Sequence, residues 1–137
     1  MSTIITIYSL IEAPITKVWE AYTNVSDIKK WNFATDDWHC PFAENDLTVG
    51  GKFTYTMAAK DQSVQFNFSG TYTEISPYEK LIYVLDDQRV VLVKFEKVNP
   101  AQTAITIELE AEDSNPIELQ EKGWSAILSN FKHYIEA

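Results

Sequence analysis

The sequence predicts an α+β fold: a curved antiparallel β-sheet wrapped around one long C-terminal helix, with two short helices after the first strand. Two observations carry this. Between residues 51 and 110, apolar side chains recur at every second position in segments separated by turn residues, the pattern of an antiparallel meander with one apolar and one wet face. From Pro116 to about Glu136 the period changes to that of a helix. A curved sheet gripping that helix on its concave face buries all the apolar faces at once and tends to leave a cavity between the layers.

The elements follow in order. Thr3 to Glu12 is β-rich and free of Gly and Pro, and is expected to be a strand. Pro14 suits the first turn of a helix, where its missing N–H has no intrahelical partner, and Val18, Trp19, Ala21 and Tyr22 follow at helical spacing. Ser26 is expected to cap a second short helix carrying Ile28 and Trp31. Residues 32–48 have no clear period and are expected to form a long loop rich in acids and aromatics.

After Gly50-Gly51 the meander begins. Phe53, Tyr55 and Met57 alternate with Lys52, Thr54 and Thr56, and then Phe66, Phe68, Gly70 and Tyr72 alternate with Gln65, Asn67, Ser69 and Thr71. A glycine inside a strand predicts a bulge or bend at Gly70. Leu81, Tyr83 and Leu85, then Val91, Val93 and Phe95, then Ile105, Ile107 and Leu109 complete the apolar face, with turns at Ser76-Pro77, Asp86-Asp87 and Asn99-Pro100. In the last helix Asn115 is expected as N-cap, Pro116 as the first helical residue and Glu118 as the capping-box partner. Gln120, Gly123, Trp124, Ile127, Phe131 and Tyr134 lie near one stripe.

The 137 residues suffice for one domain spanning 1–137 and not comfortably for two. Twenty acidic residues against 11 basic ones give a net charge of −9, which argues against a nucleic-acid partner and against docking on an anionic membrane. No segment approaches the apolar length of a membrane span. The first residues lack a basic region followed by a long apolar run, so no signal peptide is expected. A lone Cys40 forms no internal disulfide and fits a reducing compartment. A soluble cytoplasmic protein is the expectation, and exposed strand edges allow a homodimer.

Several segments together resemble the START-like helix-grip (SRPBCC) superfamily and, within it, homologues of the heat-shock protein 90 ATPase activator C-terminal domain. They are Ala13-Pro14-Ile15-Thr16-Lys17-Val18-Trp19-Glu20-Ala21, Ile28-Lys29-Lys30-Trp31, Val49-Gly50-Gly51-Lys52-Phe53, Gly70-Thr71-Tyr72-Thr73-Glu74-Ile75-Ser76-Pro77 and Gly123-Trp124-Ser125-Ala126-Ile127-Leu128. Asp36-Asp37-Trp38-His39-Cys40-Pro41 with Glu44-Asn45-Asp46 is similar to a bacterial subgroup without an assigned role. The resemblance implies a helix-grip fold with a central cavity, and no catalytic residue set. The superfamily includes lipid carriers, receptors, cyclases and co-chaperones, so the fold alone does not fix the function.

Arg89, the only arginine, shares strand parity with Val91, Val93 and Phe95. On an apolar face it must be paired, either with a ligand carboxylate or phosphate or with one of the chain's own acids; the remaining alternative is an exposed arginine at a strand end beside the Asp86-Asp87 turn. Phe53, Tyr55, Phe66, Phe68, Tyr72, Tyr83, Val91, Trp124 and Ile127 are candidates to line a pocket with a few hydroxyl anchors; an ordinary filled core is the alternative. Trp38 and His39, with Asp37 and Asp46, are candidates for a loop over the cavity mouth, and an Asp–His pair there could do acid–base work. No nucleophile or second base accompanies it. His39-Cys40 lacks the partner spacing of a metal site, so no metal and no cofactor is expected. Glu108, Glu110 and Glu112 are expected on a solvated face.

Three functions follow: binding of a small apolar or amphipathic ligand between sheet and helix, a chaperone-partner or other protein-interaction role implied by the resemblance, and a cyclase-like enzyme. The first is favoured, and catalysis is not expected.

Overall fold

The computed structural model describes residues 3–137. Strand β1 (Ile4–Ile11) leads into helices α1 (Ile15–Thr23) and α2 (Val25–Trp31). Strands β2 (Trp38–Asn45), β3 (Lys52–Ala59), β4 (Gln65–Ser76), β5 (Lys80–Leu85), β6 (Val90–Asn99) and β7 (Gln102–Glu110) follow, then helix α3 (Ile117–Glu136). The sheet order is β1-β7-β6-β5-β4-β3-β2. Every neighbouring pair is antiparallel. The α+β architecture expected from the sequence is the observed one: seven strands curve around α3, and two short helices follow the first strand.

Period-two patterning sets the inner face. Ile5, Ile7 and Ile11 of β1, Leu81, Tyr83 and Leu85 of β5, Val91, Val93 and Phe95 of β6, and Ile105, Ile107 and Leu109 of β7 are all buried. Helices α1 and α2 add Val18, Trp19, Ile28 and Trp31 to the same core, and α3 adds Leu128, Phe131 and Ile135. Trp31 Nε1 donates to the Ala21 carbonyl (3.0 Å), so its ring is buried without a stranded donor.

Four local expectations are corrected. Residues 38–45 form β2 rather than loop; Pro41 and a register shift between His39 and Phe42 break the alternation that would mark a strand, and both are tolerated because β2 is an edge strand. The second helix is capped by Asn24, whose side chain accepts the Ser26 N–H (2.9 Å). The bulge in β4 lies between Tyr72 and Glu74 and not at Gly70, which stays in register opposite Phe53. Helix α3 has Pro116 at its N-cap position, with no side-chain cap. Gln120 acts in the cap's place: its carbonyl accepts the Glu112 N–H (2.8 Å), and its amide donates to the carbonyls of Glu112 (3.1 Å) and Asn115 (2.8 Å).

The last helix is roughly 30 Å long at 1.5 Å per residue. Its close backbone neighbours are β1, α2 and α1. Lys132 Nζ donates to the Leu10 carbonyl of β1 (2.6 Å), and Glu136 accepts the Glu12 N–H (2.9 Å). Asn130 donates to the Phe33 carbonyl, and Tyr134 to Asp27. These bonds anchor the C-terminal half of α3. The N-terminal half carries Gln120 and Gly123 where large aliphatics would be needed to reach the sheet, and a space remains beneath it.

Candidate functional site: a cavity under the last helix

That space is a cavity of ≈ 380 Å³ between the concave face and α3. Its walls come from every layer: Phe53, Tyr55 and Met57 of β3, Phe66, Phe68 and Tyr72 of β4, Tyr22 of α1, Trp31 at the end of α2, and Trp124 and Ile127 of α3. The aromatic rings pack on one another. Phe53 sits 5.0 Å from Tyr55 and 4.9 Å from Tyr83 between ring centroids, and Phe68 meets Trp124 at 5.6 Å across the gap between β4 and α3. Phe66 and Leu119 both line the cavity and are 51% and 56% exposed, so the opening lies between the start of β4 and the first turns of α3.

Four tyrosines, Tyr22, Tyr55, Tyr72 and Tyr83, line this apolar space. Tyr55 donates to Tyr72, Tyr72 donates to Asn45 Oδ1 (2.7 Å), and the Asn45 amide donates to the Thr23 carbonyl at the end of α1 (2.8 Å). Burial pushes the Tyr72 phenol up to about 12 and also raises those of Tyr22, Tyr55 and Tyr83 well above their ordinary value. All four are neutral donors and acceptors at physiological pH.

Arg89 lies at the mouth end of the wall, in the β5–β6 connection. Its Nε donates to Asp87 Oδ2 at 2.8 Å, and its Nη1 is 3.5 Å from the Glu110 carbonyl oxygen. Of the readings left open by the sequence, the ion pair with an acid is the geometry found, and the acid is Asp87 of the adjoining turn. Glu112, expected on a solvated face, lines the cavity because the chain leaves the sheet after Glu110 and turns toward α3.

Three sequence candidates do not line the cavity. His39 is exposed on β2, and its neighbour Cys40 is buried with Sγ 3.3 Å from the Phe42 carbonyl; strand alternation puts the pair on opposite faces. Trp38 packs against Phe66 (5.7 Å between centroids), beside the mouth. Val91 is wholly buried in the core between β5 and β7. The sequence reading missed Tyr22, Trp31 and Asn32, which reach the cavity only because α1 and α2 fold over the sheet. Helical spacing had already grouped Gln120 and Gly123 with Trp124 and Ile127, and a glycine with a polar neighbour on an apolar stripe was the available sign of unfilled space.

A curved sheet closed over by one long helix, with an aromatic-walled space between them, defines the helix-grip class. Residues 12–136 match the family described as Activator of Hsp90 ATPase homolog 1-like protein, and the chain belongs to that family. Among solved structures it is similar to the AHSA1-like protein of Aeromonas hydrophila, with 41% identity, TM-score 0.92, 98% of this chain and 92% of that one covered. A protein from Cytophaga hutchinsonii is 42% identical with TM-score 0.83, covering 96% of this chain and 91% of that one. A Chromobacterium violaceum protein shares the fold at 22% identity and TM-score 0.87, over 98% of this chain and 99% of that one. No curated protein matches the chain. No helix among the described residues is long and apolar enough to cross a membrane.

Proposed function

We propose that this protein is a carrier or sensor that encloses a small hydrophobic or amphipathic molecule in the cavity beneath α3. The observation that carries the reading is the aromatic-walled ≈ 380 Å³ space between the sheet and α3. Small-molecule sites run from about 300 to 1,000 Å³ and combine apolar walls with a few polar groups. Gly123 supports the reading: a Cβ there would meet nothing within 4 Å, so the helix tolerates a glycine in its interior while leaving the space open.

Nile red, a neutral dye that brightens in apolar surroundings, tests the proposal. Its fluorescence should rise with the wild-type protein, and Gly123→Phe, which directs a ring into the cavity, should abolish the rise while the fold persists. Equal brightening with both proteins would place the dye elsewhere and remove the reading.

The family match favours a second reading, in which the domain binds a chaperone of the heat-shock protein 90 class. Stimulation of that ATPase, retained in Gly123→Phe, would support it and separate it from the first. The cyclase reading has the weakest support: His39 lies outside the cavity and Arg89 is engaged by Asp87.

A further inference from the structure

Resting on the ligand-binding reading, a more specific conclusion comes from asking which polar groups on the cavity wall still lack a partner. Arg89 is held by Asp87, and Glu112 on the same wall opposes its charge. Gln120 is consumed by the connection between β7 and α3, and Asn115 donates to Glu112. Tyr55 and Tyr72 belong to the relay that ends at Thr23. The side chains left over are Asn32, Tyr22 and Tyr83, none of which has a hydrogen-bond partner among the described residues.

Asn32 is 5% exposed and Tyr83 is 6% exposed. Among the described residues, no fully enclosed side-chain nitrogen or oxygen lacks a partner. The carboxamide of Asn32 and the hydroxyl of Tyr83 therefore open onto the cavity they line. Asn32 follows Trp31 at the C-cap of α2, where only its backbone N–H is used, by the Ile28 carbonyl, so its buried carboxamide has no role in ending the helix. Its carboxamide offers two donors and an acceptor, and each phenol one donor and its lone pairs.

We propose that the cavity selects an uncharged ligand bearing a carbonyl or hydroxyl group, which Asn32, Tyr83 and Tyr22 bind, and rejects the corresponding carboxylate. Neutral donors and acceptors match a ketone, amide or alcohol. They do not compensate an ionised carboxylate removed from water. The mouth reinforces the choice. Asp36 and Asp37 before β2, Asp86 and Asp87 between β5 and β6, and Asp113 and Glu118 at the start of α3 stand at the end of the sheet where the cavity opens; set against Lys60 in the β3–β4 turn and Arg89, these carboxylates leave a rim that is net negative to an approaching anion. Arg89, the feature that in the sequence suggested an anion anchor, is neutralised by that rim.

The test is a matched series on one skeleton: 2-acetylnaphthalene, 2-naphthylmethanol and 2-naphthoic acid, titrated at neutral pH by calorimetry and followed by amide chemical shifts. The ketone and the alcohol should bind about tenfold or more tightly than the acid. Tyr83→Phe, which removes one oxygen and keeps the ring, should weaken the ketone and narrow that gap, and Asn32→Leu should do the same. If Asn32→Leu fails to fold, the Tyr22→Phe/Tyr83→Phe double variant reads the same contact. Binding of the acid equal to or tighter than that of the ketone overturns the charge selection but leaves the cavity reading standing. An unchanged ketone affinity in both Tyr83→Phe and the second variant overturns the assignment of the polar contact. Failure of all three compounds at millimolar concentration, together with no Nile red response, overturns both readings.

Discussion

The ring of Phe53 lies directly over Gly70 on the neighbouring strand. The two are paired across β3 and β4, and a Cβ built on Gly70 would stand 2.8 Å from both Cε2 and Cζ of that ring. The same Cβ would meet the Val84 carbonyl oxygen at 2.8 Å, so backbone as well as side chain resists it. Gly70 thus gives Phe53 its place in the cavity wall. Gly70→Ala should destabilise the fold by about 1–3 kcal/mol, the usual cost of overpacking, and should reduce ligand uptake by displacing the ring. Urea denaturation measures the first effect and Nile red fluorescence the second; a wild-type midpoint would contradict the packing argument.

Gly123 presents the opposite case. A Cβ there meets open space, and a glycine within a helix costs about 0.5–1 kcal/mol relative to alanine. Gly123→Ala should raise stability by that amount and lower ligand affinity only slightly, because a methyl group occupies little of the cavity. Thermal denaturation of the two proteins checks it.

Asn45 ties the sheet to α1 by accepting from Tyr72 and donating to Thr23. Asn45→Ala removes both bonds and leaves the Thr23 carbonyl without its side-chain donor. The expected loss is about 1–3 kcal/mol, read from the chemical denaturation midpoint. The Tyr72 hydroxyl, freed from its acceptor, would then be available to a ligand in the cavity.

The tyrosine cluster makes the protein sensitive to alkali. The phenols of Tyr22, Tyr55, Tyr72 and Tyr83 ionise less readily in the folded chain than their ordinary value of 10.0. The unfolded chain therefore loses these protons first. Their contribution is complete below about pH 10 and is lost as pH rises through the folded values. Each group contributes a slope of about 1.4 kcal/mol per pH unit where it is ionised in the unfolded chain and still protonated in the folded one. Tyrosinate absorbance should rise together with unfolding, and ionisation of these four before unfolding would contradict the burial that shifts them.

Cys40 should react slowly with thiol reagents at neutral pH. It is 3% exposed, and burial raises its thiol above the ordinary value, so little thiolate is present and little of it is accessible. Labelling by a colorimetric disulfide should become fast only in denaturant.

The chain's own pattern determined the sheet, its inward face and the long final helix, because alternation and helical spacing are local properties written in consecutive residues. Phe53, Phe68, Tyr72, Tyr83 and Trp124 could be assigned to one interior for the same reason. The tertiary structure decided the rest. Whether those rings fill the core or surround a space depends on how far α3 stands from the sheet, which the contacts of its C-terminal half with β1 and α2 set. Arg89 could have met a ligand anion or a neighbouring acid, and the turn that brings Asp87 to 2.8 Å decided between them. His39 and Trp38 left the candidate site once residues 38–45 paired with β3 as an edge strand, since pairing fixes which way each side chain points. Asn32 carried no local signal at all: a polar residue at a helix end is ordinary, and its buried carboxamide acquires meaning only from the layers that close around it.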